Sequence, residues 1–304
     1  MSKAGTCPAP PRGILLATDL SSHCDRALDR AIQLAGQWKT TLHVVHALRP
    51  ETRAGAWWSP GGGDPQPGDA QVTLVERQIK HDMAVPPDDL AIHVDVGEPV
   101  DVIMRTAERE DCDLIIAGAS GPTFASSILH TTTEHLLRRA PQSLLIVKTR
   151  PRGAYRQLLL GTDFTTESRH GLETAAAWFA DADFTLMHAL DIPYRSMFLE
   201  AGRENEFSRL EHETMDAFVA AAQLPDGVRS RLATRIAYGY PEAMLSEHGQ
   251  AHDIDLTVIG ALARGLVFHM LVGGNAARIV QTVPGDVLMV RSGAIAAQQD
   301  GVSD

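Results

Sequence analysis

The chain has 304 residues, 44% of them hydrophobic and 21% charged, which excludes a disordered polymer and is enough for about two domains of ordinary size. No stretch approaches the roughly 18 consecutive apolar residues of a membrane span, and the opening "MSKAGTCPAPPRG" lacks the apolar core of a secretory signal, so a cytoplasmic location is expected. A formal net charge of -11 without a Lys/Arg stripe disfavours nucleic acid, and three scattered cysteines, Cys7, Cys24 and Cys112, fit neither a disulfide framework nor a CxxC metal site.

Short apolar or β-branched runs predict strands at 13–18, 42–46, 91–96, 113–117 and 143–148. Helical periodicity falls between them, at 22–38, 70–84, 98–110 and 131–140. Ser21 or Ser22 is expected to cap the first helix, and Pro99 stands where a first-turn proline is favoured. Residues 49–69 read as a loop, yet Trp57 and Trp58 are too apolar to be idle in water, which suggests a lid or a partner contact. The whole pattern then repeats. "GILLATDLSSHCDRALDRAIQLA" at 13–35 returns as "QLLLGTDFTTESRHGLETAAAWFA" at 157–180, and "LHVVHAL" at 42–48 as "FTLMHAL" at 184–190. "DLIIAG" at 113–118 answers to "DLTVIG" at 255–260, and "SLLIVK" at 143–148 to "DVLMVR" at 286–291. The offset stays between 142 and 144 residues, so the chain is two copies of one domain, 1–150 and 151–304.

Alternating β and α elements imply an α/β fold with a parallel sheet, right-handed crossovers and helices on both faces. Ligands of such sheets bind beyond the C-terminal strand ends, where the strand order reverses. Asp19, Asp163, Gly118 and Gly260 all fall at predicted strand ends of that kind.

"ILLATDLSSHCDRAL", "VVHAL", "DLIIAGASG" and "LLRRAPQSLLIV" resemble the universal stress protein family, and both halves carry the resemblance over nearly their whole length. It implies two Rossmann-like, open five-stranded domains of the adenine-nucleotide-binding type, paired through their last strands as an internal pseudo-dimer. Such pairing also covers two apolar edge strands. Nucleotide-binding members carry a Gly, two residues, a Gly, nine residues, and then Gly followed by Ser or Thr. A glycine backbone can approach phosphates there, and the N–H groups of the following helix face the anion. The first half matches with Gly118 and Gly121 but has Thr131 for the third glycine, followed by Thr132. The second half has Gly260, Ala263 for the second glycine, Gly273, and Gly274 for the hydroxyl residue, then Asn275 as a helix cap. By the same resemblance Thr18, Asp19, Thr162 and Asp163 meet the ribose and adenine side of the ligand, and Ala47 and Ala189 present backbone to adenine. Helix capping is the competing role for the two aspartates.

No metal ligands are assigned. His43 and His46 are three apart on a strand and face opposite ways, and His130 and His135 do not share a helix face. His212 with Asp216, and more weakly His188 with Asp191, have chelating spacing, but a solvated helix face is the preferred reading. No nucleophile elbow, Walker lysine or catalytic triad appears, which makes an enzyme the minority expectation. The readings left open are an ATP-binding switch with Mg²⁺, a nucleotide-free scaffold or small-ligand sensor acting through protein partners, and, more weakly, a slow ATPase.

Overall fold

The computed structural model describes residues 9–22, 24–49, 69–119, 131–190, 204–262 and 275–292. The first half runs β1 (Gly13–Ala17), α1 (Asp25–Trp38), β2 (Thr41–Leu48), α2 (Asp69–Asp82), β3 (Leu90–Val96), α3 (Pro99–Arg109), β4 (Leu114–Gly118), α4 (Thr131–Arg139) and β5 (Ser143–Val147). The second runs β6 (Gln157–Thr162), α5 (Thr166–Trp178), β7 (Asp183–Leu190), α6 (Glu204–Ala221), the short α7 (Asp226–Arg229), β8 (Leu232–Tyr238), α8 (Pro241–Ala251), β9 (Leu256–Leu262), α9 (Asn275–Thr282) and β10 (Asp286–Ser292).

The strands form one ten-stranded sheet in the order β3-β2-β1-β4-β5-β10-β9-β6-β7-β8. Pairing is parallel within each half. At the centre β5 and β10 run antiparallel, with Leu145 opposite Leu288. The two last strands therefore pair as expected, because each carries a buried apolar run, 144–147 and 287–290, and would otherwise be an open edge. The strand order reverses between β1 and β4, and again between β6 and β9, which sets one strand-end crevice in each half.

Strand alternation divides the core into two layers, and both cross the seam. One face joins Ile14, Leu16 and Leu34 to Leu160, Trp178 and Phe184; the other joins Leu15, Val45 and Ile115 to Leu159, Ile259 and Val287. Trp38, at the end of α1, donates its indole N–H to the Trp178 carbonyl at 3.0 Å, and the two indoles lie 5.5 Å apart.

Pro99 opens α3 after Glu98, as anticipated. The expected start of the first helix is overturned. Helix α1 begins at Asp25, not residue 22, with Cys24 as its N-cap and no side-chain cap, so neither Ser21 nor Ser22 fills that role. The Thr18 and Asp19 side chains bind the backbone of residues 20 and 21, and Leu20 takes a left-handed φ of 61° that no helix continues through.

Candidate functional site

The same turn is built at both strand ends. Thr18 Oγ1 accepts from the Leu20 N–H at 3.0 Å, and Thr162 Oγ1 from the Phe164 N–H at 3.0 Å. One residue on, Asp19 Oδ1 accepts from the Ser21 N–H and Asp163 Oδ1 from the Thr165 N–H. These bonds hold Leu20 and Phe164 at φ 61° and 62°, an arrangement that costs a non-glycine residue about 1–2 kcal/mol. A histidine from the neighbouring strand completes each turn. His46 Nδ1 lies 3.0 Å from the Thr18 carbonyl and His188 Nδ1 2.7 Å from the Thr162 carbonyl. A carbonyl only accepts, so Nδ1 carries the proton in both rings.

Asp19 and Asp163 thus brace the turns that precede α1 and α5. At α5 the cap itself is Thr165, whose hydroxyl oxygen accepts from the Ser168 N–H at 3.3 Å while donating to Asp163 at 2.5 Å. In the first half Asp19 also accepts from the Cys24 thiol at 3.1 Å. Burial pushes that thiol up to about 11, so it is not a thiolate at neutral pH.

In the second half Thr162, Asp163, Ala189 and Gly260 line one cavity of about 200 Å³. Pro241 and Leu245 from α8, and Ala276 and Ile279 from α9, supply its apolar wall. Ser168 also lines the cavity, its hydroxyl 3.0 Å from Thr162 Oγ1 in a buried pair. Sequence reasoning did not single out Ser168, Pro241 or Leu245. They come from helices whose placement depends on strand order, whereas His46 and His188 were visible as the shared histidine of "VVHAL" and "LMHAL".

Gly260 has a packing role that phosphate approach does not require. A Cβ there would lie 2.2 Å from the Glu167 carbonyl oxygen and 2.7 Å from Ser168 Cα, so the first turn of α5 rests directly on β9. In the first half, Gly118 ends β4 beside Val147, and Ala47 lies on β2 opposite Asp95. Thr131 and Thr132 open α4, and Asn275 opens α9. The first turn of α4 carries Glu134, which pairs with Arg138 at 2.8 Å, whereas the first turn of α9 carries no acidic residue. Gly121, Ala263, Gly273, Gly274, His130, Asp191, Trp57 and Trp58 lie outside the described residues. His212 and Asp216 fall on the exposed side of α6.

Among the described residues, no helix is long and apolar enough to cross a membrane. No curated protein matches the chain. Among solved structures, a functionally unknown protein from Pseudomonas aeruginosa PAO1 is similar at 20% identity, with a TM-score of 0.62 and 92% of each chain covered. A universal stress protein from Archaeoglobus fulgidus DSM 4304 is similar at 17% identity, with a TM-score of 0.60, over 94% of this chain and 98% of that one. At such identities the likeness is one of fold. The model of the universal stress protein family matches twice, over residues 11–148 and 154–291. With two matches that together span most of its length, the chain belongs to the universal stress protein family and carries two of its domains in tandem.

Proposed function

We propose that this protein is a cytoplasmic stress-response module that binds an adenine nucleotide, ATP with Mg²⁺, in the strand-end crevice of its second half and so changes a protein-binding surface. The observation that carries the reading is the convergence of Thr162 and Asp163, Ala189 and Gly260, from three segments far apart in sequence, on one cavity at the strand switch point. Its volume of about 200 Å³ is below the roughly 300 Å³ at which enclosed small-molecule sites begin. It suits a base and ribose, with the phosphates directed toward the start of α9. An anion there meets helix N–H groups and no first-turn carboxylate. The first half is the weaker site on this reading, because Glu134 sits in the corresponding turn of α4.

One observation favours the alternative, a nucleotide-free scaffold acting through its surfaces. The α5 backbone already explains Gly260, so that glycine is weak support for a phosphate loop. Calorimetric titration of ATP and Mg²⁺ into ligand-stripped protein, with mass spectrometry of co-purified small molecules, decides between them. One or more sites saturating in the micromolar range supports the switch. An absence of heat together with an absence of co-purified nucleotide leaves the scaffold.

A further inference from the structure

Away from the crevice, two histidines fifty residues apart in sequence face each other. His43 lies near the start of β2 and His93 in the middle of β3, and the register sets Val45 beside His93, so both rings leave the same face of the sheet. His43 Nδ1 is 3.1 Å from His93 Nε2. Glu110, just past the end of α3, brings Oε2 to 3.9 Å from His43 Nδ1 and Oε1 to 3.9 Å from His93 Nδ1. One ligand atom from each of the three residues lies within 4.8 Å of the others. Nitrogens bound to a tetrahedral zinc at about 2.0–2.1 Å stand roughly 3.3 Å apart, so the histidine pair already has the spacing of two ligands on one ion.

The surrounding bonds fix the tautomers of the two rings. Arg109 Nη2 lies 3.1 Å from His93 Nδ1, and a guanidinium only donates. Nδ1 therefore accepts, and Nε2–H of His93 donates to Nδ1 of His43. Burial lowers the proton affinity of both rings, with Glu110 opposing, which keeps them in the neutral form that ligates metal. An ion on His93 Nε2 requires the ring proton to move to Nδ1 and Arg109 to release that atom. Arg109 has other acceptors, Glu110 Oε1 at 2.8 Å and Asp95 Oδ2 at 3.7 Å.

The second half is an internal control. Its β7–β8 register is the same, but the corresponding positions hold Thr185, Arg235 and His252, of which only the histidine is a metal-ligand type. We propose that His43, His93 and Glu110 form a site for a divalent transition ion of the zinc class, not repeated at the corresponding positions of the second half, with water completing the coordination and Arg109 as its competitor.

The test is titration of Zn²⁺, and of Co²⁺ with its visible absorption as a readout of low coordination, into the tag-free, chelator-treated full chain without nucleotide. One ion per chain is expected. His43→Thr, which installs the residue that the second half carries in the same strand position, and His93→Gln are each expected to weaken binding by about tenfold or more, since even outer partners of a ligand matter by that factor. Glu110→Gln should weaken it, and Arg109→Ala should tighten it. Circular dichroism establishes that each variant is folded. No stoichiometric binding to the parent chain, or equal binding by folded His43→Thr and His93→Gln variants, overturns the proposal.

Discussion

Lys148 and Arg291 stand at equivalent ends of β5 and β10, and each reaches across the seam to the C-terminal end of the last helix of the other half. Lys148 Nζ donates to the carbonyls of Val280, at 3.0 Å, and Val283; Arg291 Nη2 donates to the carbonyl of Leu137. A cation at a helix C-terminus meets carbonyls that have no intrahelical partner. The antiparallel β5–β10 pair is thus clamped twice, by the same device run in opposite directions.

The clamp predicts a pH dependence. Burial lowers the Lys148 ammonium from 10.5 to about 8, with the Asp286 carboxylate opposing. Burial also lowers Arg291, but only to about 10. Between the folded value for Lys148 and its ordinary one, the unfolded chain holds a proton that the folded chain has released, so this group makes stability rise with pH across that window. Denaturant melts of the parent chain should gain stability from pH 8 toward 10.5 relative to Lys148→Met. Parallel curves for the two proteins would mean that Lys148 does not titrate there.

Asp286 is the hub of one side of the seam. Fully buried, it accepts from the N–H groups of Lys148 and Thr149, the Thr149 hydroxyl and the Tyr155 hydroxyl, the last at 2.6 Å. Arg30 stacks over the Tyr155 ring at 3.9 Å, and its Nε lies 3.7 Å from Asp286. On the other side Ser143 occupies the equivalent position and, among the described residues, accepts the one corresponding backbone bond, from the Arg291 N–H. Asp286→Ala removes the partner of a buried cation and should cost about 3–5 kcal/mol. Asp286→Ser removes the same charge and strands the Tyr155 hydroxyl, but retains a hydroxyl acceptor for the Lys148 N–H, so its loss should be smaller than that of Asp286→Ala by one hydrogen bond, about 0.5–1.5 kcal/mol. Equal losses for the two variants in urea melts would show that the hydroxyl does not replace the carboxylate oxygen at the seam.

The contrast between Ser143 and Asp286 also marks how far the sequence could be read. The β5–β10 seam was implied by the family resemblance, with which two apolar last strands agree, and the internal repeat and the parallel halves were legible, because strand length and alternation each leave a local trace. The start of α1 was not, since Thr18 and Asp19 divert the chain into a left-handed turn through side-chain bonds that hydrophobic periodicity does not record. Nor was the seam network, whose donors lie more than 130 residues from Asp286. At the crevice, the turn and its histidine were repeated and therefore visible. Ser168 and Leu245 entered the site only through strand order, and His43 met His93 only through strand register.

The packing of α5 on β9 can be tested at one atom. Gly260→Ala puts a methyl 2.2 Å from a backbone oxygen that no side-chain rotation can move, and overpacking of this kind costs about 1–3 kcal/mol. Gly161→Ala is the control. Its nearest neighbour would be a Leu245 methyl at 3.4 Å, an ordinary contact. A fall in the urea midpoint for Gly260→Ala alone is expected, and equal midpoints would mean that α5 shifts away at little cost.

The last prediction separates the two crevices. Asp163 and Asp19 perform the same backbone service in their turns, each accepting from the N–H two residues on, so replacing either perturbs its helix start to a similar degree. Only their ligand roles should differ. If nucleotide occupies the second half, Asp163→Ala should weaken ATP binding by about tenfold, equivalent to one charge-assisted hydrogen bond of about 1.4 kcal/mol. Asp19→Ala should leave the affinity unchanged. The reverse pattern would place the nucleotide beside β1 and β4, despite Glu134 in the adjoining helix turn. Equal, small effects from both would indicate that the aspartates serve only their turns, and that any ligand is held by other atoms of the crevice.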